Sequence, residues 1–359
     1  MKPKGITKDN RRFVQGAMII NAPSAALNLG ENGIKRMSTK GEDGNNVSFS
    51  YLSGQFIKSK IKETLIDNGE KLSKPEIIQE TAKKNTPTTS CNPFEFIDDD
   101  LFGYMNVIKS EQHKNPGTTR IAPFKISYFL GKEGDYKKDF AVKQNGALKD
   151  GELTTMPLND DNRYFASTSY SGCFSLDVNM AGRFFKGSTA GFMNLSENFP
   201  QDDYQGIIQE RDEYEIVLKK EIRSERIQKL LKTLPYLSGG ARRSTVYADL
   251  SPKFVIYCVT DSGNHLFQEI ASIYNHFNVK ALKESVTDFT ENIKSNIYIA
   301  LKNGFLDSKR NEILQAVKEY NDTSKTVKFI FNDDLSGINN ITKRFADKVI
   351  PDLFEINNI

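Results

Sequence analysis

The sequence is poor in the residues that build metal sites and disulfide frameworks. It contains three cysteines and three histidines, all far apart in the chain, and no CxxC or HExxH spacing connects them. Structural zinc sites and disulfide-rich folds depend on closely spaced cysteines and histidines. The sequence therefore predicts reduced thiols, no metal site and no cofactor.

Long apolar runs are also missing. No stretch approaches the roughly 20 consecutive apolar residues that span a bilayer, and the basic N-terminal residues are not followed by the apolar segment of a secretory signal. We therefore expect a cytoplasmic protein that makes no membrane contact. Its 359 residues suffice for one large domain with insertions or for two domains.

A large overall charge is absent as well, because the formal net charge is only +3. The positive side chains are unevenly distributed along the chain. Residues 33–62 hold six Lys or Arg against two acids, and residues 219–243 hold eight against two. Local basic patches on a nearly neutral chain favour a shaped site for a polyanion over a non-specific tail.

The stretch YLSGQFIKSKIKETL at residues 51–65 combines helix signals with positive charge. Ser53 suits a helix N-cap, and apolar residues recur every four positions after it. Gln55, Lys58 and Lys62 share a neighbouring face of the predicted helix. The start of a helix favours an anion such as phosphate, whereas a solvated lysine face is the simpler interpretation.

A second basic candidate is the segment LSGGARR at residues 237–243. Gly239 and Gly240 would let the backbone approach phosphates closely, and Arg242 and Arg243 supply forked donors. A glycine C-cap followed by solvated arginines is the alternative interpretation.

Two polar segments complete the candidates. Residues 24–46 are predicted to form a long loop, which carries Lys35, Arg36 and Lys40; loops of this length are usually functional or disordered. Three consecutive aspartates occupy residues 98–100. Neighbouring residues do not converge on one ion unless a turn bends them, so a solvated turn or helix cap is favoured over a metal cluster.

The order of predicted elements favours an α+β fold. Strands are predicted at 12–20, 119–130, 164–178 and 252–259, helices at 53–65, 74–84 and 221–234, and a projecting hairpin or arm at 131–163. Beyond residue 260, helices at 277–294, 308–320 and 338–349 alternate with strands at 297–301 and 326–331. The first part matches a βαββαβ framework, the modified ferredoxin-like or RNA-recognition (RRM) fold with large insertions. Such a sheet is a platform for single-stranded nucleic acid.

Six short motifs make the chain resemble the DevR-like backbone subunit of the type I, I-B-like, CRISPR Cascade surveillance complex. The motifs are Asn21 with AALN at 25–28, Ser53-Gly54-Gln55 with Lys58, DLFGYM at 100–105, the strand at 120–130, FSLD at 174–177, and LSGGARR at 237–243 before LSP at 250–252. They occur in the family's order between about residues 12 and 262.

The resemblance implies a fold like a right hand. Its parts would be residues 1–66 as the first half of the palm, 67–118 as fingers, 119–130 as a palm strand, 131–168 as a thumb hairpin, 169–262 as the second half of the palm, and 263–359 as a C-terminal α/β extension. Copies of such a subunit stack along a guide crRNA, in company with the capping, large and guide-processing subunits of Cascade, and the guide then pairs with target DNA. The RNA-binding residues predicted by the basic patches and the resemblance together are Lys35, Arg36, Lys40, Gln55, Lys58, Lys62, Arg120, Gly239, Gly240, Arg242 and Arg243.

The sequence does not predict an enzyme. Related backbone proteins of type III systems cut RNA with an Asp in the loop after the first strand, whereas Glu31, Glu42 and Asp43 here lie in no matching motif. Two alternatives stay open. An RNA-processing endonuclease of the same fold superfamily would use His, Tyr or Lys as acid–base groups, and the histidines lie outside the basic patches. A stand-alone single-stranded RNA-binding protein would be expected to carry an aromatic RNP strand of the KGFGFVxF kind, and none is found.

Overall fold

The structure is a computed structural model, and it defines the path of the chain over most of its length. It describes residues 6–25, 27, 29–30, 33–40, 44–74, 76–81, 84–106, 117–131, 136–138, 141–149, 152–158, 164–187, 193–196, 199–240, 249–270, 278–332 and 337–356. Arg242 and Arg243 fall outside these ranges, and so do the candidates Glu31, Glu42 and Asp43.

The strands and helices follow one another as an α+β chain. The strands are β1 (Phe13–Ala25), β2 (Leu29–Gly30), β3 (Gly33–Ile34), β4 (Arg36–Lys40), β5 (Asn46–Leu52), β6 (Glu76–Thr81), β7 (Lys84–Thr88), β8 (Tyr104–Met105), β9 (Thr119–Arg120), β10 (Phe124–Ile126), β11 (Phe129–Gly131), β12 (Tyr136–Lys138), β13 (Ala141–Lys149), β14 (Glu152–Leu158), β15 (Tyr164–Asp177), β16 (Arg183–Phe185), β17 (Ile208–Arg211), β18 (Glu215–Leu218), β19 (Pro252–Thr260), β20 (Ile297–Leu301) and β21 (Phe329–Phe331). The helices are α1 (Gly54–Asp67), α2 (Ile97–Phe102), α3 (Lys220–Thr233), α4 (Val279–Asp288), α5 (Asp307–Thr323) and α6 (Ile338–Ile356), and 3-10 turns occupy Gln201–Ile207, Leu234–Tyr236 and Thr290–Asn292. Within the described ranges, no helix has both the length and the apolar character needed to cross a bilayer.

One large mixed sheet organises the molecule. Its strand order is β21–β20–β19–β1–β15–β11–β5–β4, with β10 and β12 also paired to β15. Neighbouring strands run antiparallel, except that β20 and β21 are parallel. The central pair is long, because β1 and β15 stay in register from Phe13 opposite Asp177 to Ala22 opposite Thr168.

Both faces of the central strands are buried, each under its own helices. Alternate residues of a strand point to opposite faces, so Val14 and Met18 of β1 join the core beneath α1, α3 and α6. Ala17 and Ile19 join a second core beneath α4 and α5. This explains why β1 and β19 consist of nearly continuous apolar residues.

Smaller sheets accompany the large one. β2 pairs with β3, β6 with β7, β8 with β9, and β13 with β14, while β16, β18 and β17 form a three-stranded sheet. The β13–β14 hairpin lies in the segment predicted to project as an arm.

The longest patterns in the sequence are confirmed by the structure. The strand predicted at 297–301 is β20, and that predicted at 252–259 is β19 with one further residue. The helices predicted at 221–234 and 308–320 are α3 and α5. The α+β class is therefore confirmed.

Three predictions of local structure were wrong. Residues 24–46 contain β2, β3 and the edge strand β4 instead of one long loop. The helix predicted at 74–84 is replaced by the β6–β7 hairpin, whose sequence is rich in β-branched Ile and Thr. The strand predicted at 119–130 is divided into β9, β10 and β11, and Pro123 between the first two has no N–H for a continuous ladder.

Candidate nucleic-acid interface

Helix α1 begins where the sequence predicts. The Ser53 hydroxyl accepts a hydrogen bond from the Phe56 N–H at 3.2 Å, and Ile57, Ile61 and Leu65 are buried. The first turn carries no acidic side chain, although acids are the usual complement of the positive helix end. The start of α1 is therefore an electropositive end that its own first turn does not neutralise.

Lys58, in the second turn of α1, adds a positive charge near the start of the helix, and this charge has no acidic partner among the described residues. It is half-buried, and among the residues described here no carboxylate lies within ion-pair distance of its Nζ, which sits 5.9 Å from the centre of the Phe102 ring. Burial, and then the positive charge of Lys62, lower the pKa of Lys58. An anion bound here would stabilise the charged form of Lys58 and so offset both effects.

Lys62 has a different role from the one the sequence suggests. Its Nζ lies 2.8 Å from Oδ2 of Asp98, whose side chain is fully buried. The same carboxylate accepts a hydrogen bond from the Ser73 N–H. The ammonium group of Lys62 thus already has an acidic partner in the protein, although its side chain is one-third exposed. The structure therefore favours a role in the fold over the predicted role as an RNA ligand.

The three aspartates at 98–100 lie in the first turn of helix α2 and are buried, so the predicted solvated turn was wrong. Asp98 pairs with Lys62, and Asp100 pairs with Arg120 and Arg226. Asp99 accepts from the Asn92 N–H. The three carboxylates thus bind different partners, and these contacts fix α2 to the elements around it.

Arg120 is the clearest correction among the predicted RNA-binding residues. It is only 3% exposed. Besides its pair with Asp100, it donates to the carbonyl oxygens of Met180 and Arg183 at 2.9 and 2.8 Å. All of this bonding is internal, so Arg120 cannot reach a nucleic acid without unfolding the site.

The basic residues of β4, together with Lys35 just before it, divide between the two faces of the sheet edge. Arg36 lies opposite Ser50 and Lys40 opposite Asn46, so these two side chains share one face. Lys35 continues the register opposite Tyr51, whose N–H donates to the Lys35 carbonyl at 3.2 Å, and it therefore faces the other side. All three side chains are exposed.

An aromatic pair lies beside Lys35, and the sequence reasoning missed it. The rings of Tyr51 and Tyr128 are 5.3 Å apart and nearly perpendicular. Tyr51 pairs with Leu130 across β5 and β11, so Tyr128 is its diagonal neighbour on the same face. Tyr128 is 54% exposed. The available signal was an aromatic residue at the end of the strand before α1, Tyr51, and another in the strand predicted at 119–130, Tyr128.

Gly239 and Gly240 lie beside α1 on the side of the helix that carries Lys60. Gly239 and Gly240 have φ of 125° and 122°, a region open to glycine alone at little cost. A Cβ on Gly239 would lie 2.7 Å from the Lys60 side chain. Lys60 and Lys58 are two residues apart, which is about 200° around a helix. The glycine segment therefore lies beside Lys60 and on a different side of α1 from Lys58.

The candidate interface thus consists of two groups of residues around the β5–α1 junction. Lys35, Tyr51 and Tyr128 lie on the sheet face opposite α1, because Leu52 and Phe129, which alternate with the two tyrosines, point into the core beneath α1. Gln55, which is exposed, and Lys58 lie on α1 itself. The two groups offer ammonium groups, an amide, helix N–H groups and an aromatic face. These groups bind phosphates and unpaired bases of a single strand. In the described part of the chain, no three His, Cys, Asp or Glu side chains are grouped to hold a metal ion.

Comparisons with known proteins agree with this architecture. A chain of a CRISPR RNA-guided surveillance complex in a pre-nicking state superimposes with a TM-score of 0.56 at 10% identity, covering 95% of this chain and 100% of that one. A second CRISPR RNA-guided surveillance complex gives a TM-score of 0.50 at 10% identity, covering 94% and 99%. At this identity the likeness establishes a shared fold. Curated protein sequences give no match.

The family comparison is more specific. Residues 28–280 match the model of the CRISPR-associated negative auto-regulator DevR/Csa2. This segment is well over half of the chain and includes α1, α3 and the candidate interface. The resemblance found in the six sequence motifs is confirmed, and the chain belongs to the DevR/Csa2 family of CRISPR-associated proteins.

Proposed function

We propose that this protein is a guide-RNA-binding backbone subunit of a type I, I-B-like, CRISPR Cascade complex. Copies of it line the crRNA and present the guide for pairing with target DNA, together with the other Cascade subunits. The family match and the two surveillance-complex chains with the same fold support membership of such a complex. Lys58 carries the RNA-binding part of the proposal, because its charge has no acidic partner among the described residues.

The chemistry of the interface suits a guide of any sequence. Lys35, Lys58 and the start of α1 offer charge and N–H donors to phosphates, which are the same at every nucleotide. The amide of Gln55 can add hydrogen bonds to the same backbone groups. A subunit that must accept every spacer needs contacts that do not depend on the guide sequence.

The strand order supports an RNA-recognition type of core. In chain order, β1, α1, β11, β15, α3 and β19 give the succession βαββαβ, and in space the strands run β19–β1–β15–β11. α1 and α3 both pack on one face of this antiparallel unit. We propose that this unit is the palm, that residues 67–118 provide the fingers, and that the β13–β14 hairpin is the thumb.

The covered half of the sheet argues against a stand-alone RRM-type binder. In such domains the open sheet face stacks bases. Here α4 and α5 bury that face of β1, β19 and β20. RNA is thereby limited to the half at β5 and β11, where Tyr51, Tyr128 and Lys35 lie.

The proposal includes no catalytic activity and no cofactor. The rival function is processing of RNA by an endonuclease of the same superfamily. A single measurement separates the two, because a backbone subunit leaves RNA intact and an endonuclease shortens it.

The test is light scattering coupled to size-exclusion chromatography, with single-stranded RNAs of increasing length and subsequent gel analysis of the RNA. We expect complexes whose mass rises stepwise with RNA length while the RNA keeps its length. One bound copy on every RNA would refute the backbone role. Shortened RNA would favour the endonuclease.

A further inference from the structure

The position of Tyr128 points to a role beyond charge neutralisation. We propose that Tyr128, held by Tyr51, is a stacking platform for one unpaired base of the bound single-stranded RNA. The inference rests on the proposed function and assigns a base contact at the β5–α1 junction.

The pair is arranged so that part of Tyr128 stays open. Its ring meets Tyr51 at an interplanar angle of 86°. In such an edge-to-face pair Tyr51 covers at most one face of Tyr128, so at least one face remains for another ring. Tyr51 is half-buried between β4 and β11, with its N–H bonded to Lys35. Tyr128 is thus supported from one side and 54% exposed.

The surroundings of Tyr128 suit a nucleotide better than an apolar partner. Lys35 lies next to Tyr51 on the adjacent segment of chain, and both side chains lie on the sheet face that also carries Tyr128. Phe129 pairs with Leu52 at the end of β5, so the preceding Tyr128 lies next to the end of this ladder, where Ser53 caps α1. A base on the Tyr128 ring would therefore have an ammonium group on one side and the start of a helix on the other, both suited to its flanking phosphates.

Stacking and phosphate contacts have different signatures in salt titrations. A stacked base releases no counterion, so its loss lowers affinity without changing the slope of log K against log salt. The loss of a phosphate contact lowers the slope by about 0.7 for a single strand. This difference separates the role of Tyr128 from the role of Lys35.

The experiment measures binding of the full-length protein to a mixed-sequence single-stranded RNA and to an abasic strand of equal length. We expect Tyr128→Ala to bind the RNA about tenfold more weakly, with an unchanged salt slope and unchanged binding of the abasic strand. Tyr128→Phe keeps the ring and should bind like the unaltered protein. Tyr214→Ala, at an exposed tyrosine between β17 and β18, is the matched control and should have no effect.

Three results would overturn the inference while leaving the proposed function in place. They are full RNA affinity in Tyr128→Ala, an equal loss on the abasic strand, or a loss of self-association without RNA, which would make Tyr128 a contact between copies. Failure of the unaltered protein to bind RNA would instead reject the proposed function, and this inference with it.

Discussion

Lys58 and Lys62 lie one helical turn apart on α1, yet their charges have different surroundings. Both ammonium groups approach the Phe102 ring, at 5.9 and 5.7 Å from its centre. Lys62 also reaches the buried carboxylate of Asp98, whereas Lys58 meets no acid in the described part of the chain. Two lysines that look equivalent in the sequence therefore divide into a structural residue and a candidate phosphate ligand.

Substitution should separate these two roles. We expect Lys58→Ala to lower the slope of log K against log salt for single-stranded RNA by about 0.7, at little cost in stability. Lys62→Ala should keep the slope but lower the free energy of unfolding, because it leaves Asp98 buried without its cation. Salt titrations and urea unfolding of both variants measure this. Equal slopes for Lys58→Ala and the unaltered protein would remove Lys58 from the interface.

Asp99 makes stability depend on pH. Burial raises the pKa of its carboxyl group, and its Oδ1 has no hydrogen-bond partner among the described residues. The native state holds the Asp99 proton more tightly than the unfolded chain, so this group's contribution to stability is lost as pH rises through the raised pKa. We expect Asp99→Asn to raise the free energy of unfolding at pH 8 and to lose that advantage in acid.

Asp100→Asn is the contrast for this prediction. It weakens the pairing of two buried guanidinium groups, those of Arg120 and Arg226. The cost should be about 3 kcal/mol or more at neutral pH. Thermal unfolding of both variants between pH 4 and 8 measures the difference. A lower stability of Asp99→Asn at pH 8 would contradict the account of Asp99.

The junction between β5 and α1 is the element that positions the candidate interface. The strand ends at Leu52, Ser53 caps the helix, and Gly54 is the first helical residue. A Cβ on Gly54 would lie 2.8 Å from the carbonyl oxygen of Ile126. The glycine is thus required by the close approach of α1 to β10.

Gly54→Ala tests this junction, because helix propensity and packing predict opposite signs. Alanine favours a helix by about 1 kcal/mol over glycine in an interior position. The contact with the Ile126 backbone should outweigh this gain, so we expect a lower melting temperature and weaker RNA binding. Gly206→Ala, where nothing lies within 4 Å of the new Cβ, should change neither. An unchanged or higher melting temperature for Gly54→Ala would show that α1 can move away from Ile126 at little cost, and would contradict the packing argument.

At the scale of the whole molecule, one sheet face serves two purposes. The half that includes β19 and β20 is sealed by α4 and α5, with Ile313 fully buried in that core. The half at β5 and β11 carries the tyrosine pair and Lys35. The C-terminal layer therefore stabilises the sheet and confines the proposed RNA path to one end of it.

This separation predicts that the C-terminal core affects stability and not RNA contacts. Ile313→Ala should lower the free energy of unfolding by about 2–5 kcal/mol, with unchanged RNA affinity under conditions where the variant is folded. The neighbouring Leu314 is 40% exposed, so Leu314→Ala should cost less than about 1 kcal/mol. Loss of RNA affinity in folded Ile313→Ala would place part of the RNA path on this layer.

The sequence by itself determined the features that depend on residues near one another in the chain. The cap and apolar stripe of α1, the apolar runs of β19 and β20 and the family motifs are all of this kind. A helix cap joins residues three apart, and an apolar stripe recurs every turn. Lys58 and Gln55 were identified for the same reason, since they stand next to a helix start.

Only the tertiary structure decided which charged groups are paired and which rings meet. Lys62 and Asp98 are 36 residues apart, Arg120 and Arg226 share a carboxylate from a third segment, and Tyr51 meets Tyr128 through the register of β5 and β11. Burial makes an unpaired charge costly, so the buried carboxylates of Asp98 and Asp100 are paired with Lys62 and Arg120 from distant parts of the chain. The same packing leaves Lys58 without an acid in the described chain and exposes Tyr128, and it thereby determines the candidate RNA interface.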